Sequence, residues 1–199
     1  MNRRARTALV LADGAQRLVE LRVSSRNRAA LGQAEQASPS TYPAMVAAHV
    51  ALLGVCVWPR PGRRVPRVVE ISALAGLAAA TCLRLWVIRT LGTSWNVTAH
   101  VSPTMHIETG GPYRWVRHPN YLAVALEFAC LPLAVGAVPE AVVLSLANAL
   151  VLAPRIRAEE RLLDALPEYR AAFAGVPRFI PNRGRRSVRP RPGRANPAV

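Results

Sequence analysis

The chain of 199 residues has no lysine: all 26 of its basic residues are arginine, against 11 acidic ones. Aromatic residues are scarce at 6%, and there are only three cysteines, Cys56, Cys82 and Cys130. Each cysteine sits inside an apolar run, without the spacing of a metal site, so neither a disulfide scaffold nor a metal-ligand cluster is indicated. At 51% hydrophobic the chain is far too apolar for disorder over most of its length. The bias to Ala, Arg and Pro matches a GC-rich bacterial genome, which is an association rather than a physical argument.

What is present is positive charge, +15 with a pI near 11.6. A nucleic-acid binder places arginines on a soluble face interleaved with aromatics. Here they stand between hydrophobic blocks, as Arg60, Arg63, Arg64 and Arg67 do, or in the tail from Arg178 to Arg194. Charge that brackets apolar segments is the pattern of a membrane protein, so membrane lipids rather than nucleic acid are the expected partners.

The expected fold is all-α, a polytopic integral membrane bundle of about five transmembrane helices. Residues 7–23 are apolar but carry Asp13, Arg17 and Glu20 at helical spacing, which suits either a short span with a charged face or an interfacial helix. Residues 24–41 read as a polar loop. Residues 43–58 form a short apolar run flanked by Tyr42 and Trp58, and an Arg/Pro-rich loop occupies 59–67. Residues 68–91 make a full-length helix lined with small residues, on which Arg84 and Arg89 are expected to snorkel to the interface. The polar stretch 92–120 has the length of a functional loop. The apolar stretch 121–153 is too long for one span, and Gly136 and Pro139 split it into a hairpin, with Pro139 opening the second arm and Pro132 and Pro154 placed to kink the arms. A polar helix continues over 155–166. Residues 1–181 form one membrane domain, with its motif-bearing core at 84–181, and 182–199 a basic, disordered tail. Arg22, Arg26, Arg28, Arg89, Arg114, Arg117 and the arginines from Arg155 onward share one side, which makes the C-terminus cytoplasmic in a bacterial plasma membrane; the basic 59–67 loop opposes this.

The richest stretch runs from Gly110 through Pro112, Tyr113, Arg114, Trp115, Arg117, His118, Pro119 and Asn120 to Tyr121. Pro119 suits the first turn of a helix, whose free amides and dipole make an anion site next to Arg117 and His118. The plainer alternative is a membrane-entry motif that meets lipid phosphates. Farther on come Arg155, Arg157, Glu159, Glu160 and Arg161. They could be a solvated face with Arg155–Glu159 and Arg157–Glu160 pairs. Two adjacent carboxylates just beyond a span could equally receive ribose hydroxyls or an amino group, and a hairpin brings them to the Arg117–Tyr121 cluster at the same face. Glu127 and His49 are ionisable groups at membrane depth and so functional candidates.

These segments resemble the isoprenylcysteine carboxyl methyltransferase family of membrane enzymes and its relative phosphatidylethanolamine N-methyltransferase. The likeness runs from about Arg84 to Pro181: Leu91-Gly92 followed by Trp95-Asn96, the Gly-Pro-Tyr-Arg and Arg-His-Pro-Asn-Tyr core, the Arg155–Leu163 stretch, Glu168-Tyr169-Arg170 and Val176–Pro181. Ala123 departs from it, standing where the family often has glycine. The N-terminal Arg17, Glu20, Arg26, Asn27, Tyr42, Pro43, Met45 and His49 resemble a bacterial branch associated with type III polyketide synthases. The resemblance implies methyl transfer from S-adenosylmethionine (SAM) bound in a pocket at the cytoplasmic face, without a metal, to a lipophilic small-molecule or prenylated acceptor. It assigns Tyr113, Arg117, His118, Pro119, Tyr121, Glu159 and Glu160 to the cofactor. Residue chemistry offers Arg155 or Arg157 as the cation that orients the acceptor, with Glu127 as a further catalytic candidate at membrane depth, and His49, Trp95 and Asn96 are expected against the substrate. No Gly-x-Gly-x-x-Gly follows a strand, which excludes a soluble Rossmann-type methyltransferase. The acceptor oxygen is a carboxylate or an acidic hydroxyl, an alkylpyrone or alkylresorcinol fitting the N-terminal likeness and an isoprenylcysteine the family name. From another class, a non-catalytic membrane protein with a lipid-binding tail is the rival reading.

Overall fold

The computed structural model describes residues 1–30, 35–37, 39–58, 65–98, 100–101 and 106–181. Among them are six α-helices: α1 (Arg3–Ala30), α2 (Tyr42–Val57), α3 (Arg67–Leu91), α4 (Pro119–Ala134), α5 (Val138–Leu163) and α6 (Pro167–Ala172). A two-residue antiparallel pair joins β1 (Glu35–Gln36) to β2 (His100–Val101). The loop expected at 59–67 falls mostly outside the described residues, as does the basic tail over 182–199.

Two of the helices, α3 (extended to Ser94 by a 3-10 turn) and α5, are long and apolar enough to cross a membrane, and α2 and α4 are shorter apolar helices. In both long spans only 28% of the apolar window is buried within the protein. The core helix of a soluble protein is mostly buried, whereas here Val68, Ile71, Leu85, Val142, Val143, Leu146 and Leu150 all face outward. That outward apolar surface calls for lipid rather than water.

The bundle is organised by α4, which packs mainly on α3 and α5. On α3 the buried positions Ala73, Leu77, Ala80, Arg84 and Val87 recur every three or four residues, a single stripe facing the bundle. Gly76 borders this stripe, where an added Cβ would lie 2.6 Å from the Cys130 Sγ of α4. Glycine lets the two helices approach there without displacing the Cys130 side chain. The main core comprises Val10, Leu52, Cys56, Leu77, Tyr121, Val124, Phe128, Leu131 and Leu152 among others, and a smaller cluster gathers Val101, Leu163, Tyr169 and Phe173 under the polar end.

Three local expectations change. Helix α1 runs on to Ala30, through part of the stretch read as loop. There Ser24 Oγ donates to Asn96 Oδ1 at 2.7 Å, and Asn27 Nδ2 donates to the Gly92 and Trp95 carbonyls at 3.1 and 2.6 Å. Tertiary hydrogen bonds, rather than an apolar stripe, hold this last part of the helix, which is why no periodicity announced it. Pro139 is the second residue of α5, not its first, and α5 passes Pro154 to end at Leu163. Arg84 does not snorkel. It is buried, donating to Glu20 Oε2 at 3.3 Å and Glu127 Oε2 at 2.9 Å. Arg17 of α1 binds the same two carboxylates, so α1 is fastened to α3 and α4 by ion pairs within the bundle.

Candidate functional site

The site begins at a turn that only glycine can make. Gly111 has φ +51°, and a Cβ there would fall 2.3 Å from Thr90 Oγ1 at the end of α3. The following Gly111–Arg114 3-10 turn lays Trp115 against Trp86, their ring centres 5.4 Å apart. Helix α4 then starts at Pro119 with His118 as its N-cap and no side-chain cap, so its first-turn amides have no partner within the helix. The amides of Arg117 and His118 are taken up from afar, donating to the Pro177 and Arg178 carbonyls at 2.9 and 3.1 Å. Residues 177–178 therefore strap the start of α4. Glu160 clamps the strap, accepting from Arg178 Nε and Nη2 at 2.8 and 2.6 Å and from His118 Nε2 at 3.0 Å. The bonds to Glu160 also hold the Arg178 guanidinium above its usual pKa.

Two cavities meet beside this strap. One is polar and is lined by Asn96, Thr98, Glu108, Tyr113, Arg117, His118, Pro119, Glu159, Tyr169 and Phe173. The other is largely apolar and lies between α1 and α2, against Leu18, Leu21, Met45, Val46, His49, Val50, Leu53 and Val124. Trp95, Asn120, Tyr121 and Arg155 line both and so form their common wall.

The wall is wired together. Arg155 Nε donates to Tyr121 Oη at 2.9 Å, and Tyr121 in turn donates to Glu159 Oε2 at 2.5 Å. Arg155 Nη2 donates to the Val97 carbonyl at 2.5 Å, and Nη1 lies 3.4 Å from Met45 Sδ. A guanidinium carries five N–H groups, so donors remain on Nη1 and Nη2 for an incoming oxygen. Burial, with Glu159 close by, lifts the Tyr113 phenol well above its usual pKa. Burial does the same at Tyr169, and both phenols stay protonated donors at neutral pH.

Several polar atoms at the cavities are buried with no protein partner: Trp95 Nε1, Asn96 Nδ2, Arg117 Nε and Asn120 Oδ1. Buried polar groups are rarely left unsatisfied. This set, three donors and one acceptor on the polar cavity, suits a ligand with a negative group and hydrogen-bonding heteroatoms.

The structure therefore brings together Tyr113, Arg117, His118, Pro119, Tyr121 and Glu159, with Arg155 and Trp95 at the wall. Asn96 faces the polar cavity rather than the apolar one, and His49 lines the apolar one. Three expected site residues lie elsewhere in the structure. Glu127 lines neither cavity; its Oε2 meets Arg17 and Arg84 inside the bundle, while Oε1 is buried with no hydrogen-bond partner among the described residues. Arg157 is exposed and lines neither cavity. Glu160 is committed to the strap rather than to a ligand. The expected surface pairs Arg155–Glu159 and Arg157–Glu160 are not among the ion pairs of the described residues: Arg155 and Glu159 both bond Tyr121, and Glu160 bonds His118 and Arg178. Sequence reasoning missed Asn120 and Tyr169 as lining residues and Arg178 as the partner of Glu160, although all three lay inside the motif segments. Ala123 is fully buried.

Comparison with known proteins places this geometry. The profile of the isoprenylcysteine carboxyl methyltransferase (ICMT) family matches residues 73–165, which take in α3, the glycine turn, the start of α4 and the Arg155–Glu160 stretch. The uncharacterized protein YpbQ of Bacillus subtilis (strain 168) is 31% identical over 157 residues, 77% of this chain and 92% of that protein. The likeness thus reaches well beyond the matched profile, and the chain belongs to the ICMT family.

Proposed function

We propose that the protein is a SAM-dependent O-methyltransferase of the bacterial plasma membrane that methylates a lipophilic hydroxyl acceptor of the alkylresorcinol or alkylpyrone kind. The observation that carries this reading is the shared wall: a polar and an apolar cavity meet at Trp95, Asn120, Tyr121 and Arg155. A water-soluble donor and a lipid-soluble acceptor require such a junction. The unpartnered atoms fit SAM: Arg117 Nε, with the α4 amides, would hold its carboxylate, and Glu159 with Asn120 Oδ1 its hydroxyls or ammonium. SAM supplies an electrophilic methyl group on a sulfonium. Given to an acceptor oxygen that had already released its proton to solvent, that methyl would leave the sulfur behind as a neutral thioether. Arg155 holds the anionic oxygen by charge-assisted hydrogen bonds, and the apolar cavity excludes water from it. The chain lies in the membrane through α2–α5, with the strap and the polar cavity at the cytoplasmic face.

Purified protein with labelled SAM, offered an alkylresorcinol, an alkylpyrone and a farnesylcysteine analogue, tests the reading. Turnover of the first or second is expected. Turnover of farnesylcysteine alone would overturn the acceptor, and the absence of saturable SAM binding in folded protein would overturn the enzyme.

The strap adds a prediction about the C-terminus. Truncation after Pro181 is expected to leave turnover intact. Truncation after Gly175, which removes Pro177 and Arg178, is expected to abolish SAM binding in an equilibrium assay, because the Arg117 and His118 amides lose their acceptors at the same time as Glu160 loses Arg178.

A further inference from the structure

The two hydroxyl acceptors named above differ in acidity. A pyrone enol is ionised at neutral pH, whereas a resorcinol hydroxyl resembles the tyrosine phenol, with a pKa of about 10. The resorcinol therefore arrives with its proton, which must leave before the oxygen can attack. The shared wall contains a path for it. Tyr121 and Arg155 are buried and line both cavities, while the half-buried Glu159 lines the polar one alone. Tyr121 Oη donates to Glu159 Oε2 at 2.5 Å and accepts from Arg155 Nε at 2.9 Å. A phenol oxygen has one donor and two acceptor sites, so these bonds leave one lone pair of Tyr121 unused. An acceptor oxygen held by Arg155 would share that guanidinium with the Tyr121 oxygen. Of the other ionisable side chains on the apolar cavity, Glu20 is paired with Arg17 and Arg84, and His49 meets the Met45 carbonyl.

We propose that Tyr121 and Glu159 form a proton relay through the wall, which lets the protein methylate hydroxyls that are not ionised in solution. The acceptor O–H bond breaks as its proton passes to Tyr121 Oη, while the Tyr121 proton passes to Glu159 Oε2. No tyrosinate forms, because Tyr121 gives one proton for each it takes. Arg155 balances the negative charge left on the acceptor oxygen. The electron pair of that oxygen forms the bond to the methyl group as the bond from methyl to sulfur breaks. Glu159 holds the proton until the polar cavity empties and then releases it to solvent; its other oxygen, Oε1, stays on the donor's side. Tyr121 touches the acceptor, and Glu159 acts through it. The proposal rests on the O-methyltransferase reading above and supplies the route by which the acceptor proton leaves.

The test measures kcat/KM for a 5-alkylresorcinol and an alkylpyrone from about pH 7 to about pH 10, across the phenol pKa. Wild type, Tyr121→Phe and Glu159→Gln are compared, each with SAM saturating by its own measured Kd. Tyr121→Phe takes a partner from Arg155 and from Glu159, and that disturbance slows both acceptors alike. Loss of the relay slows the resorcinol alone. Near pH 7 the resorcinol is expected to lose about 10²-fold more than the pyrone, at the lower end for a positioned proton-transfer group. The extra loss is expected to shrink toward none near the upper pH, where the phenol ionises unaided. Glu159→Gln still accepts the Tyr121 hydrogen bond but not its proton, and is expected to show the same selective loss. The polar cavity also presents Tyr113, Tyr169, His100, His106, His118, Glu108 and Arg117, and the apolar one Tyr42. Their titration acts on both acceptors, so it cancels in the ratio. Equal losses for the two acceptors, a loss constant across the pH range, or a ratio preserved in Glu159→Gln would overturn the relay. Wild-type turnover of the pyrone without the resorcinol would overturn the relay and leave the reading of function standing. Turnover of neither would overturn that reading too. If the resorcinol alone is used, the pH series on it decides the case.

Discussion

Arg155→Leu is expected to lower kcat by about 10²–10³-fold, the usual cost of removing one preorganised donor from a developing or transferred charge. The Kd for SAM is expected to stay within a few-fold, because the guanidinium meets the polar cavity only at its wall and the orphaned donors of that cavity are on Trp95, Asn96 and Arg117. Single-turnover kinetics with saturating SAM would separate the two effects. A loss confined to SAM affinity, with kcat intact, would show that Arg155 serves the cofactor instead. Arg157→Ala is the natural control: exposed and clear of both cavities, it is expected to leave kcat and KM unchanged. Arg155→Lys is informative as well, since an ammonium keeps the charge but cannot reach the Tyr121 phenol, the Val97 carbonyl and an acceptor oxygen at once.

The largest effect on stability is expected at Arg84. Its guanidinium and that of Arg17 answer Glu20 and Glu127, with Asp13 also buried nearby. Breaking a buried pair by removing one partner costs about 3–5 kcal/mol, because the other charge stays buried. Arg84→Met belongs at the lower end, about 3 kcal/mol, since Arg17 still reaches both carboxylates. Thermal unfolding in a mild detergent would measure it. Arg84→Met combined with Glu127→Gln is expected to recover part of the loss, because the uncompensated charge goes with its partner. A double variant less stable than the sum of the singles would mean that Glu127 is held by something other than these two arginines.

How much of this was legible in the sequence depends on the kind of signal. Helices α3 and α5 and the turn between α4 and α5 were readable, because apolar length and the Gly136–Pro139 break are local properties of the chain. The extension of α1 was not, since Ser24 and Asn27 earn their helical place from Asn96, Gly92 and Trp95, far along the sequence. The site was legible as a set of segments and not as a set of roles. Neighbours on a helix point about 100° apart. Arg155 and Glu159, four apart on α5, share the face that lines the polar cavity, whereas Glu160 turns to His118 and Arg178 and Arg157 turns outward. Without the bundle's orientation, the members of each adjacent pair are interchangeable. Glu127 illustrates the same limit: an ionisable group at membrane depth can serve chemistry or fasten helices together, and only the positions of Arg17 and Arg84 decide between them.

The strap across the start of α4 has a consequence for how the enzyme is made. Ribosomal synthesis delivers Arg117 and His118 long before Pro177 and Arg178, and until those later residues emerge the two amides have no native acceptors and Glu160 has only His118. The strap is thus among the last contacts of the described residues to form. A nascent chain stalled anywhere before Arg178 holds its helices without the strap that ties down the start of α4.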